Sequence, residues 1–160
     1  MENFHATYEL KKSPSVASKE VSLNLVEHTF CYHPALDVSY LTDFHEDDWE
    51  QVLFSFDLFL NFTTKDIYRL FDLLKNSEYS EVAEIIHKVR PSFLLVGLSC
   101  FNKYFDNINE MVFQQENLTS ATEFIQNWYE DFQEKVQLIQ SEKERLCKFL
   151  DRLSAQRIAA

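Results

Sequence analysis

The sequence has very little glycine and proline. Its 160 residues include one Gly, Gly97, and three Pro. An all-β fold needs many tight turns, which Gly and Pro favour, so their scarcity argues against that fold class. Loops that bind nucleotide phosphates through closely spaced glycines are excluded for the same reason.

Basic residues are also scarce. There are 15 Lys and Arg against 26 Asp and Glu, which gives a formal net charge of -11. A nucleic-acid-binding protein needs a basic face to displace counterions, and no basic cluster is visible, so we expect no nucleic-acid partner. An acidic surface instead suits protein partners whose interfaces have basic rims.

The cysteines are few, and long apolar runs are lacking. Cys31, Cys100 and Cys147 are odd in number and have no metal-like spacing, so we interpret them as reduced thiols of an intracellular protein. The first residues lack the basic and apolar regions of a signal peptide. No apolar run approaches the about 18 residues that a membrane span requires. We therefore expect a cytoplasmic protein with no membrane partner.

Hydrophobic and aromatic side chains, by contrast, are abundant and lie at helical spacing. Hydrophobic residues make up 46% of the chain, with 15 Phe, 7 Tyr and 2 Trp, which predicts a folded core. Apolar residues recur at steps of three and four from Trp49 to Leu60. The pattern continues to Leu74, with a bend expected near residues 61–64.

Capping residues predict where several helices begin and end. Asp37 is the predicted N-cap of a short helix, Val38–Phe44. Ser77 is predicted to cap a helix over Glu78–Val96, and Gly97 is its natural stop. A further helix is predicted over residues 99–115.

The last predicted helix begins with a capping box formed by Ser120 and Glu123. It then has a heptad pattern and could exceed about 30 residues, so its end is expected to project or to pair with another chain. One heptad position is occupied by Ile125, Phe132, Ile139, Leu146 and Leu153, and the other by Tyr129, Val136, Lys143 and Leu150.

These elements predict an all-α fold, an antiparallel up-and-down four-helix bundle with a short extra N-terminal helix and a long C-terminal helix. We assign residues 34–155 to this domain. Residues 1–33 are predicted to be a partly flexible tail or extension, in which Val21–Phe30 is either a short strand or an extended segment. The residues predicted to lie inside are Trp49, Phe56, Ile86, Val89, Phe93, Phe105 and Phe132.

His87 is conspicuous because it lies opposite the apolar stripe of its helix. At about 100° per residue the stripe is narrow, and His87 lies roughly 150° from its centre. The stripe consists of Val82, Ile85, Ile86, Val89, Phe93 and Val96. His87 is therefore predicted to be exposed. Arg90, one turn later, can reach an anion held at the imidazole. Small and apolar residues are predicted to surround His87 on the outer face: Ala83, Pro91, Leu94 and Leu98.

This arrangement suits a phosphoryl acceptor. A neutral imidazole is a good nucleophile near neutral pH, since its ordinary pKa is about 6.5. Phosphoryl transfer depends on in-line approach and on neutralisation of charge, part of which Arg90 can supply. Pro91 has no N–H, so the carbonyl of His87 lacks its usual helical donor, and a local kink would open access to the imidazole.

A His is followed by a basic residue at the third position, then by a small residue, a Ser and, ten positions after the His, a Gly. These residues are His87, Arg90, Pro91, Ser92 and Gly97. With this motif, residues 36–115 resemble the histidine-containing phosphotransfer (HPt) domain of bacterial phosphorelays. Leu36–Leu41 resembles the opening short helix of that family, and Asp48–Leu60 resembles its long helix. Arg90 stands where the family usually has Lys, and Pro91 where it usually has Gly.

The resemblance implies a phosphocarrier in which His87 accepts the phosphoryl group, Arg90 stabilises it and Gly97 is structural. The implied partners are receiver domains of response regulators, with a hybrid histidine kinase as a further candidate. No cofactor is expected in this chain, because Mg²⁺ belongs to the receiver, and no kinase motif or ATP site marks it as an enzyme. The expected partner-binding residues are Ala83, Glu84, Lys88, Pro91, Ser92, Leu94 and Leu98.

Two other function classes remain open. A carboxylate-bridged di-iron enzyme uses two Glu-x-x-His pairs, and here Glu84 with His87 forms one while Glu2 with His5 forms the other. The outward phase of His87 disfavours that class. A non-catalytic adaptor, or a module that forms a homodimer through the heptads of the C-terminal helix, needs no chemistry at all. The other histidines are interpreted as surface or loop residues: His28, His33 and His45.

Overall fold

We describe the protein from a computed structural model, over residues 29–114 and 118–159. Regular secondary structure in these ranges is entirely helical, which confirms the predicted all-α class. The chain divides after Cys31 into two units, and the second, Tyr32–Ala160, contains all the helices described below. The predicted tail up to residue 28, with most of Val21–Phe30, lies outside the described residues.

Helix α1 (Val38–His45) begins at Asp37, the predicted N-cap. The Asp37 carboxylate accepts the Tyr40 N–H at 3.1 Å and the Ser99 hydroxyl at 2.7 Å. These bonds, first that from Ser99, lower the pKa of Asp37 because they favour the charged form. The Asp37 N–H also donates to the Gly97 carbonyl at 2.7 Å. The start of α1 is thereby joined to the turn that contains Gly97.

The long helix predicted from Trp49 is present and has one irregular segment. Helix α2 (Trp49–Leu58) begins after Asp48, whose carboxylate accepts the Gln51 N–H at 3.0 Å. A π-helical segment (Phe59–Thr63) follows, and helix α3 (Thr64–Lys75) continues directly from it. The irregularity expected near residues 61–64 is thus a π-helical segment, in which the turn is wider than in an α-helix.

Helix α4 (Val82–Leu95) follows a 3₁₀ turn (Tyr79–Glu81), and the predicted stop at Gly97 is correct. The prediction that Ser77 caps this helix is wrong. Ser77 has a φ of 57° and follows the end of α3, where its N–H and that of Glu78 bond to the last carbonyls of α3. Ser77 therefore terminates one helix and does not begin the next.

The two remaining helices are α5 (Asn102–Gln114) and α6 (Leu118–Ala159). Helix α5 follows a 3₁₀ turn (Ser99–Phe101). Because α6 begins at Leu118, Ser120 already lies within it, and the predicted capping box at Ser120 and Glu123 is wrong. With 42 residues, α6 is longer than about 30 residues, as predicted. It is about 63 Å long at 1.5 Å per residue.

Aromatic rings from four of these elements meet around Phe93 of α4. Its ring centre lies 5.0 Å from that of Phe59 in the π-helical segment, 5.0 Å from Phe105 of α5 and 6.1 Å from Phe132 of α6. All of the predicted core residues are buried except Trp49, which is partly exposed. The burial of such large rings dominates the stability of the fold.

One heptad position of α6 faces the core more closely than the other. Phe132, Ile139 and Leu146 are buried at the first position, and the residues of the second are half-buried. The residues from Ser154 to Ile158 are exposed. None of the described helices combines the length and the apolar character needed to cross a bilayer.

His45 is buried, contrary to the prediction of a surface residue. Only 2% of it is exposed, and its Nε2 lies 3.1 Å from the carbonyl oxygen of Leu95, the last residue of α4. The prediction failed because α1 packs its last turn against the end of α4, a contact between residues far apart in sequence. His33 is exposed, as predicted.

Candidate functional site

His87 lies on the outer face of α4, as its helical phase predicts. The inward face consists of residues that are all buried: Val82, Ile85, Ile86, Val89 and Phe93. His87 itself is exposed. Within the described residues, no hydrogen bond, ion pair or ring contact engages its imidazole. Both ring nitrogens can therefore be approached from solvent.

On one side of His87, the next residue, Lys88, forms an ion pair with α3. The Lys88 ammonium lies 2.8 Å from Oδ2 of Asp66, and the Lys88 side chain is otherwise largely exposed. A second pair, Arg69 with Glu81, joins α3 to the 3₁₀ turn that precedes α4. Lys88, predicted to bind the partner, therefore already has an acidic neighbour on the adjacent helix.

On the other side of His87, Arg90 forms an ion pair with α5. Nη2 of Arg90 lies 2.6 Å from Oδ1 of Asp106. The Arg90 guanidinium also lies 5.8 Å from the centre of the Phe105 ring, within the range of a cation–π contact. The charged end of Arg90 is thus directed towards α5, although its backbone position is one helical turn from His87.

These contacts make the surface around His87 slightly acidic instead of basic. The two cations are each matched by a carboxylate, and Glu84 adds a further exposed negative charge. Exposed ion pairs typically contribute about 0–1 kcal/mol, so either cation can leave its carboxylate at small cost. A more negative group at His87 can therefore recruit Arg90, whose planar guanidinium suits phosphate oxygens.

The apolar patch predicted beside His87 is only partly present. Ala83 and Pro91 are exposed, and Leu94 is half-buried, as is Ser92. The prediction that Leu98 lies in this exposed patch, and so binds a partner, is wrong, because Leu98 is fully buried. The surface available for docking on α4 is correspondingly smaller.

Leu98 is buried because α4 ends before it and the chain reverses direction. The helix stops at Leu95, and Gly97 takes a φ of 75°, which reverses the chain. The Leu98 N–H then bonds to the Phe93 carbonyl at 2.8 Å, and the Gly97 N–H bonds to the Leu94 carbonyl at 2.9 Å. In this C-terminal motif the residue after Gly folds back onto the helix, so a helical phase no longer gives its direction.

Sequence reasoning missed the two acidic residues that pair with the cations. Asp66 is on α3 and Asp106 is on α5, and each is one of many acidic residues on a helix surface. No spacing relates either residue to the His87 motif, because they approach it only when the helices pack. A charge count alone could not have identified them.

The residues of the di-iron interpretation are not gathered into a core. Glu84 and His87 both lie on the exposed face of α4. In the part of the chain that the structure describes, no group of three His, Cys, Asp or Glu side chains is arranged to hold a metal ion. Glu2 and His5 lie outside the described residues.

Comparison of the chain with protein-family models, with curated proteins and with solved structures gave no match. The motif around His87 and the geometry of its neighbours are thus the features of the site that bear on its function.

Proposed function

We propose that this protein is a phosphorelay phosphocarrier of the HPt type. Its His87 accepts a phosphoryl group from the aspartyl phosphate of one receiver domain and passes it to another. The observation that supports this most directly is the exposed imidazole of His87 in the middle of the outer face of α4, with Arg90 one turn away. An exposed nucleophile on a rigid helix allows the in-line approach that phosphoryl transfer needs.

The proposed fold is an antiparallel up-and-down four-helix bundle. Its first helix is α2 joined to α3 through the π-helical segment, and the others are α4, α5 and α6, with α1 as the short extra helix. The contacts of Phe93 with rings of the other elements support a shared core, as described above. Such a core holds α4 rigid, so the position of His87 is defined before a partner binds.

The chemical step needs only one nucleophilic nitrogen. The unprotonated ring nitrogen of His87 forms a P–N bond while the acyl P–O bond of the donor breaks, and the aspartate carboxylate leaves. The second ring nitrogen keeps its proton. Transfer to the acceptor receiver reverses these bond changes. Arg90 balances the charge of the phosphoryl oxygens, and Mg²⁺ held by the receiver would do the same from the partner's side.

The proposed docking surface is the outer face of α4 around His87. It consists of Ala83, Glu84, Lys88, Pro91, Ser92 and the half-buried Leu94. Leu98 is removed from this surface because it is buried. Ala83 and Pro91 are small and leave the imidazole sterically open, while the carboxylates nearby favour a partner with a basic rim.

On this proposal the protein has no enzymatic activity or cofactor of its own and acts in the cytoplasm with receiver domains or a hybrid histidine kinase.

A second candidate is a non-catalytic adaptor. It is favoured by three exposed apolar side chains on successive turns, Phe54 and Leu58 of α2 and Phe62 of the π-helical segment. Exposed apolar groups in a row are typical of protein-binding surfaces, including those of a homodimer.

The test is phosphoryl transfer to the full chain from a receiver domain carrying radiolabelled aspartyl phosphate. We expect label that is lost in acid and retained in alkali, the behaviour of phosphohistidine. The variant His87→Gln should take up no label and should melt like the wild type. The matched control is His33→Gln, since His33 is also exposed but lies outside α4; it should be labelled like the wild type.

The outcome separates the two candidates. Equal labelling of His87→Gln and wild type would show that His87 is not the acceptor. If the wild type binds a receiver but takes up no label from any donor, the adaptor is the better description. In that case, substitution of Phe54 or Phe62 by Glu should weaken binding while His87→Gln does not.

A further inference from the structure

Arg90 is held by two consecutive residues of α5. Asp106 forms the ion pair at 2.6 Å, and the preceding residue, Phe105, lies beneath the guanidinium. Phe105 is fully buried and packs its ring 5.0 Å from Phe93 and 6.0 Å from Trp128. The helix that presents these two groups is therefore fixed in the core, and the resting position of Arg90 is defined by α5 and not by His87.

We propose that Asp106 is a positioning residue that holds Arg90 on α5 while His87 is unmodified and yields it to the phosphoryl group once His87 is phosphorylated. This inference rests on the proposed function. Asp106 does not touch the reacting atoms, and it acts only through Arg90.

The movement of Arg90 from Asp106 to the phosphoryl group is favourable because the phosphoryl group has the larger negative charge. Asp106 offers one negative charge on a side chain that is 64% exposed, where solvent weakens its attraction for Arg90. A phosphoryl group on His87 carries nearly two negative charges and three acceptor oxygens. It lies one helical turn from Arg90, within reach of the long side chain. Arg90 can also retain its contact with Phe105 as the guanidinium turns.

The ion pair on the other flank is less suited to this exchange. Lys88 ends in a compact ammonium that is strongly hydrated, and 68% of its side chain is exposed. Arg90 is only 33% exposed, and its planar fork can bind two phosphate oxygens at once. We therefore expect Arg90, and not Lys88, to leave its carboxylate partner and bind the phosphoryl group.

Asp106 should therefore oppose phosphorylation of His87, since it competes for Arg90. In Asp106→Asn the negative charge is removed with little change of shape. Phosphorylation of His87 should become faster by about two- to fivefold, the size expected for loss of an exposed ion pair. In an Arg90→Ala background the same Asp106→Asn change should have no effect on the rate, because the cation for which Asp106 competes is absent.

Phosphoramidate is the probe, because it needs no receiver domain. Its P–N bond breaks as the His87 nitrogen forms a new P–N bond to phosphorus, and ammonia leaves with the electron pair. Initial rates are measured on the full chain for wild type, Asp106→Asn, Arg90→Ala and the double variant. The Nε–H resonance of Arg90 in ¹⁵N-labelled protein provides a signature of its environment. We expect it to shift on phosphorylation of the wild type.

The matched control is Asp57→Asn. Asp57 forms a partly exposed ion pair with Lys143 at 2.5 Å, between α2 and α6. The Asp57→Asn variant should be phosphorylated at the wild-type rate. If the wild type is labelled but Asp106→Asn is no faster, or if the double variant is still faster than Arg90→Ala, the role given to Asp106 is wrong while the phosphocarrier proposal stands. If no donor labels His87 in the wild type, both are wrong.

Discussion

Helices α3 and α4 end in the same backbone motif but use different residues. After α3, the Ser77 N–H bonds to the Leu74 carbonyl at 3.3 Å and the Glu78 N–H bonds to the Leu73 carbonyl at 2.8 Å. After α4, Gly97 and Leu98 make the corresponding bonds, described above. The φ angles, 57° at Ser77 and 75° at Gly97, are both left-handed.

The surroundings of the two turns explain the difference. Ser77 and Glu78 are exposed, so a side chain at the left-handed position meets only solvent. A Cβ on Gly97 would lie 2.9 Å from Cδ1 of the buried Leu41 and 3.2 Å from Cβ of Leu36. The same hydrogen bonds can therefore end a helix at the surface or in the core. The tertiary contacts decide which residues are tolerated there.

The largest effect should come from Leu98→Ala. Leu98 is fully buried, so truncation leaves a cavity beside the end of α4 and should lower the free energy of unfolding by about 2–5 kcal/mol. Glu78, at the equivalent position after α3, is exposed, and Glu78→Ala should change stability by less than about 0.5 kcal/mol. Urea denaturation of both variants measures the difference. Equal effects would show that the two turns do not differ in burial as described.

Gly97→Ala should have the next largest effect. A left-handed conformation costs a residue with a Cβ about 1–2 kcal/mol, and the contact with Leu41 adds to this cost. Ser77→Ala keeps a Cβ at the other left-handed position and should be nearly neutral. Thermal melting of the two variants tests this. A neutral Gly97→Ala would mean that Leu41 and Leu36 move aside without cost.

Ser77→Gly should have a smaller effect than Gly97→Ala and the opposite sign. Glycine removes the left-handed strain at an exposed position, although it loses more entropy on folding, and the net gain should be about 0.5–1 kcal/mol. A rise in the urea midpoint with an unchanged slope is the expected result. A fall in the midpoint would indicate that the Ser77 side chain itself stabilises the turn.

Much of the secondary structure could be predicted from the sequence, because its signals are local. The spacing of apolar residues predicted the helices, Asp37 predicted the start of α1, and the only Gly predicted the end of α4. The errors fall at turns whose geometry depends on hydrogen bonds that spacing does not reveal. Ser77, predicted to be an N-cap, terminates α3 with a left-handed φ, and Ser120, also predicted to be an N-cap, lies inside α6.

In the candidate site, too, the features set by local sequence could be predicted and the contacts between helices could not. The exposure of His87 followed from its angle to the apolar stripe of α4, because a regular helix relates neighbouring side chains by a fixed rotation. Leu98 was misplaced because that rotation was extended past the last residue of the helix. Asp66 and Asp106 were missed because they belong to other helices.

The sequence by itself determined which face of α4 is apolar, where that helix ends and hence that the His87 imidazole is exposed. These properties depend on periodicity and on one residue that adopts a positive φ without strain, and both act over a few positions of the chain. Only the tertiary structure decided that Leu98 is buried, that a Cβ on Gly97 would lie against Leu41 and that Arg90 is paired with Asp106 on α5. Those contacts join residues that are far apart in the sequence, so their energies exist only once the helices have packed.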